Sequence, residues 1–69
     1  MENLFGKVRL YGSSGTVVIT SPKGFSRSVV LSGTFTDVIL QGMEEYTFTL
    51  GNSSQTEIVN VNDFIEITL

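Results

Sequence analysis

Six of the seven glycines recur every nine residues, at Gly6, Gly15, Gly24, Gly33, Gly42 and Gly51, and short runs of β-branched and aromatic residues lie between them. A nine-residue beat leaves room for a strand of about six residues and a connection of two or three, the spacing of small sandwiches and barrels. No window carries a 3.6-residue apolar period, so helices are not expected. The fold class that follows is all-β: roughly seven short strands in two small antiparallel sheets packed face to face, with residues 1–69 forming one domain.

The pattern within each run assigns faces. Leu4, Val8 and Leu10 share one side of an N-terminal strand and Lys7, Arg9 and Tyr11 the other. In the β-branched run from Thr16 to Thr20, Val17 and Ile19 alternate with Val18. Ser21-Pro22-Lys23-Gly24 closes it, with Pro where a turn wants its fixed φ and Gly where φ can turn positive. Ser28 to Leu31 and Thr34 to Leu40 read as two strands joined at Ser32-Gly33, with Phe35 and Ile39 on one side and Val38 and Leu40 on the other. After a break at Gln41-Gly42, Tyr46, Phe48 and Leu50 alternate with Glu45, Thr47 and Thr49, which predicts a half-buried strand. Gly51-Asn52-Ser53-Ser54 reads as a hairpin loop, Glu57 to Val61 as a strand and Asn62-Asp63 as a turn. A last strand follows, in which Ile65, Ile67 and Leu69 alternate with Glu66 and Thr68 to the C-terminus. The nine-residue glycines are expected in turns, where Gly supplies positive φ without a steric penalty.

Size and composition then narrow function. A chain of 69 residues buries only about 60% of its unfolded surface, and small domains offset such thin cores with disulfides, metals or association. With no Cys and no His, association is the remaining route. A net charge of −3, with Lys7, Arg9, Lys23 and Arg27 scattered along the chain, argues against a surface that tracks phosphates, so no nucleic-acid partner is expected. Met1-Glu2-Asn3 lacks the basic start of a signal peptide and no apolar run approaches membrane-spanning length, so the expected setting is the cytoplasm and the expected partners exclude membranes.

Chemistry-bearing clusters are sparse. Calcium-binding nonapeptide repeats need paired glycines and an Asp in each repeat, whereas Asp37 and Asp63 stand in unrelated contexts. Asn60, Asn62 and Asp63 could offer oxygens to a hard cation, but Asx side chains also build turns by bonding their own backbone, and the turn is expected. Glu44 and Glu45 are adjacent on a strand and point to opposite faces, so they cannot act as a carboxylate pair. Without His, and with a body too small to enclose a substrate pocket, an enzyme is not expected: no catalytic, cofactor-binding or metal-binding residue is assigned. Asn52-Ser53-Ser54 matches a glycosylation sequon but reads as a loop. Tyr11, Phe25, Phe35, Tyr46 and Phe48 could form a stacking platform, although a core this thin is expected to claim at least three of them. Leu4-Phe5 and Phe64 to Leu69 are apolar chain ends expected to become sheet edges; Leu4, Phe5, Tyr11 and Phe64 are the candidate interface residues.

Three segments carry a family likeness: Gly15 to Gly24, ending in Thr20-Ser21-Pro22-Lys23-Gly24; Glu45-Tyr46-Thr47-Phe48-Thr49-Leu50; and Val59-Asn60-Val61-Asn62-Asp63-Phe64 leading into the last strand. The chain resembles the small Ig-like or PEGA-like β-sandwich modules of tailed-phage virion proteins and bacterial surface proteins. Those modules show a Thr-x-Pro-x-Gly turn, an aromatic Thr-rich strand and a Val-x-Val-x-Asp-aromatic approach to the last strand, and Tyr46 stands where they usually carry Trp. The resemblance implies a non-enzymatic virion structural or decoration protein. Such a protein binds a capsid or tail lattice by protein–protein contact and as an oligomer, and is incorporated into virions after assembly in the host cytoplasm; the family's modules are usually appended to long tail or surface proteins, and a free-standing one is expected to act as a separate subunit. The alternatives are a carbohydrate- or host-surface-binding module and a small phage-encoded inhibitor of a host defence protein.

Overall fold

The computed structural model describes residues 4–69, so the reading of Met1-Glu2-Asn3 lies outside the described residues. These form seven strands: β1 Phe5–Tyr11, β2 Gly15–Thr20, β3 Ser26–Leu31, β4 Phe35–Gln41, β5 Glu44–Leu50, β6 Ser53–Val59 and β7 Phe64–Thr68. They divide into a three-stranded sheet ordered β4-β1-β7 and a four-stranded sheet ordered β3-β2-β5-β6. The fold is a small all-β sandwich of the Ig-like strand count, with its own strand order.

Period-two alternation along each strand builds the core. Val8, Leu10, Val38, Leu40 and Ile67 of the three-stranded sheet meet Val17, Ile19, Leu31, Tyr46, Phe48 and Val59 of the four-stranded one in a single buried cluster. No polar or charged side chain among the described residues is buried. The faces read from sequence at β1, β2, β4 and β5 therefore hold, except that Leu4 precedes β1 and is 51% exposed.

Several expectations change. Ser32-Gly33 does not close a hairpin: β3 and β4 belong to different sheets, and the chain crosses the sandwich there, with Gly33 at φ 92°. β6 starts at Ser53 and ends at Val59, because Leu50 pairs directly with Ser53 and leaves Gly51-Asn52 as a two-residue turn. The φ of 58° at Gly51 is what the first central position of a type II′ turn requires. Not every ladder is antiparallel, since β7 runs parallel to β1. β1 consequently lies at the centre of its sheet, and of the two terminal strands only β7 is an edge. The last residue is held there by a bond from Leu69 N–H to the Tyr11 carbonyl at 2.8 Å.

The regular glycines also split by role. Gly24, Gly33 and Gly51 occupy positive φ in turns, whereas Gly6 lies inside β1. A Cβ on Gly6 would come within 2.6 Å of the Asn60 carbonyl oxygen and of Val59 Cγ1, so its role is close approach between β1 and the end of β6.

The unequal sheets leave β6 overhanging: every residue from Ser53 to Ile58 is exposed. Gln55 bridges the seam to the other sheet by donating from Nε2 to the Thr68 carbonyl at 2.6 Å. Inward-pointing polar residues on an edge strand oppose pairing with a further strand.

Candidate functional site

Outward alternation gives the two sheets contrasting surfaces. Four-stranded-sheet positions opposite the core carry mainly hydroxyls, and Thr20, Thr47 and Thr56 fall in one cross-strand row. Thr47 and Thr56 share a hydrogen bond of 3.0 Å between their Oγ1 atoms. The outer face of the three-stranded sheet is instead aromatic. Register places Tyr11 opposite Phe35 and Lys7 between Ile39 and Phe64. Phe5, Phe35, Ile39 and Phe64 are each about half exposed, at 49%, 49%, 52% and 52%.

Arg9 organises the centre of this face. It lies directly opposite Asp37 on β4 and Glu66 on β7. Its Nε and Nη2 donate to Asp37 Oδ1 at 2.8 Å and Oδ2 at 3.1 Å, a bidentate pair. The guanidinium carbon also stands 4.1 Å from the Phe35 ring centroid and 5.2 Å from that of Phe64, so the cation holds two rings from different strands. Tyr11 packs on Phe35 with centroids 6.3 Å apart and planes tilted by 59°. Its hydroxyl donates to Glu66 Oε2 at 2.7 Å.

The electrostatics follow from these contacts. The bond from Arg9 holds the Asp37 carboxyl below its usual range, and the same bond raises the guanidinium pKa. Donation to Glu66, aided by desolvation, raises the Tyr11 phenol. Lys7 adds a longer contact to Asp37 at 4.0 Å. Two cations, Lys7 and Arg9, thus stand against two carboxylates, Asp37 and Glu66, so the charges balance among the described residues of the face.

Three of the four interface residues expected from sequence, Phe5, Tyr11 and Phe64, meet on this face; Leu4 does not. It lies at the end of the sandwich in a shallow groove with Met43 and Val61. Phe35, Ile39, Arg9 and Asp37 share this face with them but are not among the candidates read from sequence. Their signal was available, because Phe35 and Ile39 have the outward parity on β4 that Arg9 and Tyr11 have on β1. The expectation that at least three of Tyr11, Phe25, Phe35, Tyr46 and Phe48 enter the core is corrected: only Tyr46 and Phe48 are buried. Small aliphatic side chains from both sheets fill the remaining space.

The Asn60–Asp63 cluster is a turn. Asp63 Oδ2 accepts the Asn60 N–H at 3.1 Å and the Asp63 N–H returns to the Asn60 carbonyl at 3.1 Å. Asn62 takes φ 65°, a conformation Asn tolerates. No group of three or more acidic, His or Cys side chains suited to a metal occurs among the described residues.

These features define a small β-sandwich with one aromatic, charge-balanced sheet face. Comparison of the chain with protein-family models, with curated proteins and with solved structures finds no match.

Proposed function

We propose that this chain is a non-catalytic binding module that docks on another protein through the outer face of the β4-β1-β7 sheet. The carrying observation is the cluster of half-exposed Phe35 and Phe64 around Arg9. Aromatic residues and Arg dominate the energetics of protein interfaces, and here they are already ordered by each other. Prior ordering reduces the side-chain entropy lost on association. A thin-cored domain also gains stability by mass action when a partner binds its folded state.

The finer reading, a virion structural or decoration protein on a phage capsid or tail lattice, rests on the sequence resemblance. A carbohydrate platform fits this face less well: Arg9 covers the Phe35 ring, and the Tyr11 and Phe35 planes are tilted rather than coplanar. Cosedimentation of the purified chain with tailed-phage virions, run beside titration with soluble glycans, tests the proposal. Saturable virion binding without glycan binding is expected. Saturable glycan binding would favour the carbohydrate reading, and exclusive capture of a host protein would favour the inhibitor.

A further inference from the structure

At one end of the sandwich, where β3 begins and β4 ends, the sheets part and leave an open notch of about 290 Å³. Its floor is formed by Leu40 and Tyr46, each 2% exposed. The Tyr46 hydroxyl donates to the Gln41 carbonyl at 2.8 Å, so its proton is already used. Phe25 forms one wall, edge-on to Tyr46 with centroids 5.5 Å apart and planes at 79°. Ile39 and Phe5 form the opposite side.

Into this apolar setting come two cations and one carboxylate, Lys23, Arg27 and Glu44. Lys23 Nζ lies 2.9 Å from Glu44 Oε2, which compensates that pair and leaves one uncompensated positive charge among the described residues that line the notch. That charge is Arg27. Its one protein bond among the described residues runs from Nη1 to the Ile39 carbonyl at 3.5 Å, long for such a donor. A guanidinium presents five donors in a planar fork that matches a carboxylate. A charge of inward parity on edge strand β3 also discourages edge pairing, but that role requires no aromatic walls.

We propose that the notch recognises a carboxylate carried next to an apolar side chain on a partner polypeptide. The carboxylate accepts two parallel N–H bonds from Arg27, and the apolar group lies against Phe25 and Ile39. The inference rests on the reading of the aromatic sheet face as a docking surface, since Phe5 and Ile39 belong to both face and notch and one partner segment can cover them without a break. It names the chemistry of that partner: an acidic residue beside an apolar one.

The test uses N-acetyl-phenylalanine, an apolar carboxylate, and its C-terminal amide as an uncharged twin, each titrated into the isotope-labelled chain and followed by amide NMR shifts. The acid is expected to move the Phe25, Arg27, Ile39 and Gln41 signals saturably and to bind about tenfold more tightly than the amide, the scale of one charge-assisted contact. Arg27→Gln should abolish the difference, while Lys23→Gln should preserve it. Equal binding of acid and amide, a preference that survives Arg27→Gln, or no saturable shift at the solubility limit of the acid would each overturn the assignment. Because the titration contains no partner protein, its failure leaves the docking face standing. Failure of the docking face, seen as unchanged partner binding by Phe64→Ser, leaves the notch shifts in place.

Discussion

Arg9 and Asp37 face each other across the β1–β4 ladder and are joined by two hydrogen bonds, at 2.8 and 3.1 Å, on the face that carries Tyr11, Phe35 and Phe64. The pair fixes the guanidinium against Phe35 and beside Phe64, so an ion pair positions the rings.

This pair gives a signed pH dependence. Asp37 is held below its ordinary pKa in the folded state by Arg9, so its contribution is complete above the unfolded-state value of about 3.9 and is lost as pH falls through the lower folded-state value. Thermal midpoints measured from neutral pH down to strong acid should fall more steeply below about pH 4 for the parent than for Asp37→Asn. The variant should melt lower at neutral pH. Parallel profiles would mean that the pair is not coupled to folding.

Phe48 is fully buried at the centre of β5. Truncation to Ala should cost about 3–5 kcal/mol, comparable with the whole stability of a domain this small. Circular dichroism should find Phe48→Ala largely unfolded at room temperature. A midpoint within a few degrees of the parent would contradict the core described for β5.

Gly6 and Gly51 resist side chains for different reasons, and a second substitution separates them. At Gly51 the space is open and only the φ of 58° strains an L-residue, whereas at Gly6 a Cβ meets Val59 Cγ1 and the Asn60 carbonyl, both at 2.6 Å. Each Ala variant should lower the melting midpoint, at a cost of about 1–3 kcal/mol. In a Val59→Ala background one of the two clashes at Gly6 is gone, so Gly6→Ala should cost less there by about 0.5 kcal/mol or more, the coupling expected of residues in contact. Gly51→Ala should cost the same in both backgrounds. Additive costs at Gly6 would refute the close-approach role.

The contrast between these glycines marks what was legible in the sequence. Local rules were readable: alternation in β5, the Pro22 turn and the inward sets Val8/Leu10 and Val17/Ile19 depend only on near neighbours. The Pro22 turn closes as expected, with Gly24 N–H donating to the Ser21 carbonyl at 3.1 Å. Sheet membership was not readable, because a short loop such as the one holding Gly33 serves a hairpin or a crossing equally well. That choice depends on which distant strand completes the core. The parallel β1–β7 ladder depends on residues far apart in the chain, as between Tyr11 and Thr68, and it moved β1 from edge to centre. Part of the site followed from parity alone, placing Lys7, Arg9 and Tyr11 outward. The union of Phe35, Arg9 and Phe64 needed the register of three strands.

The most direct test of the proposed docking face compares Phe35→Ser and Phe64→Ser with Val30→Ser, which removes a 71% exposed side chain from the other sheet, in quantitative cosedimentation with the virions proposed as partner. Interface hot spots cost about 2 kcal/mol or more when truncated, roughly thirtyfold in affinity. The account predicts a loss of that order for each Phe variant, parental binding by Val30→Ser, and far-ultraviolet spectra unchanged in all three. Parental affinity in both Phe variants, or an equal loss in Val30→Ser, would contradict it.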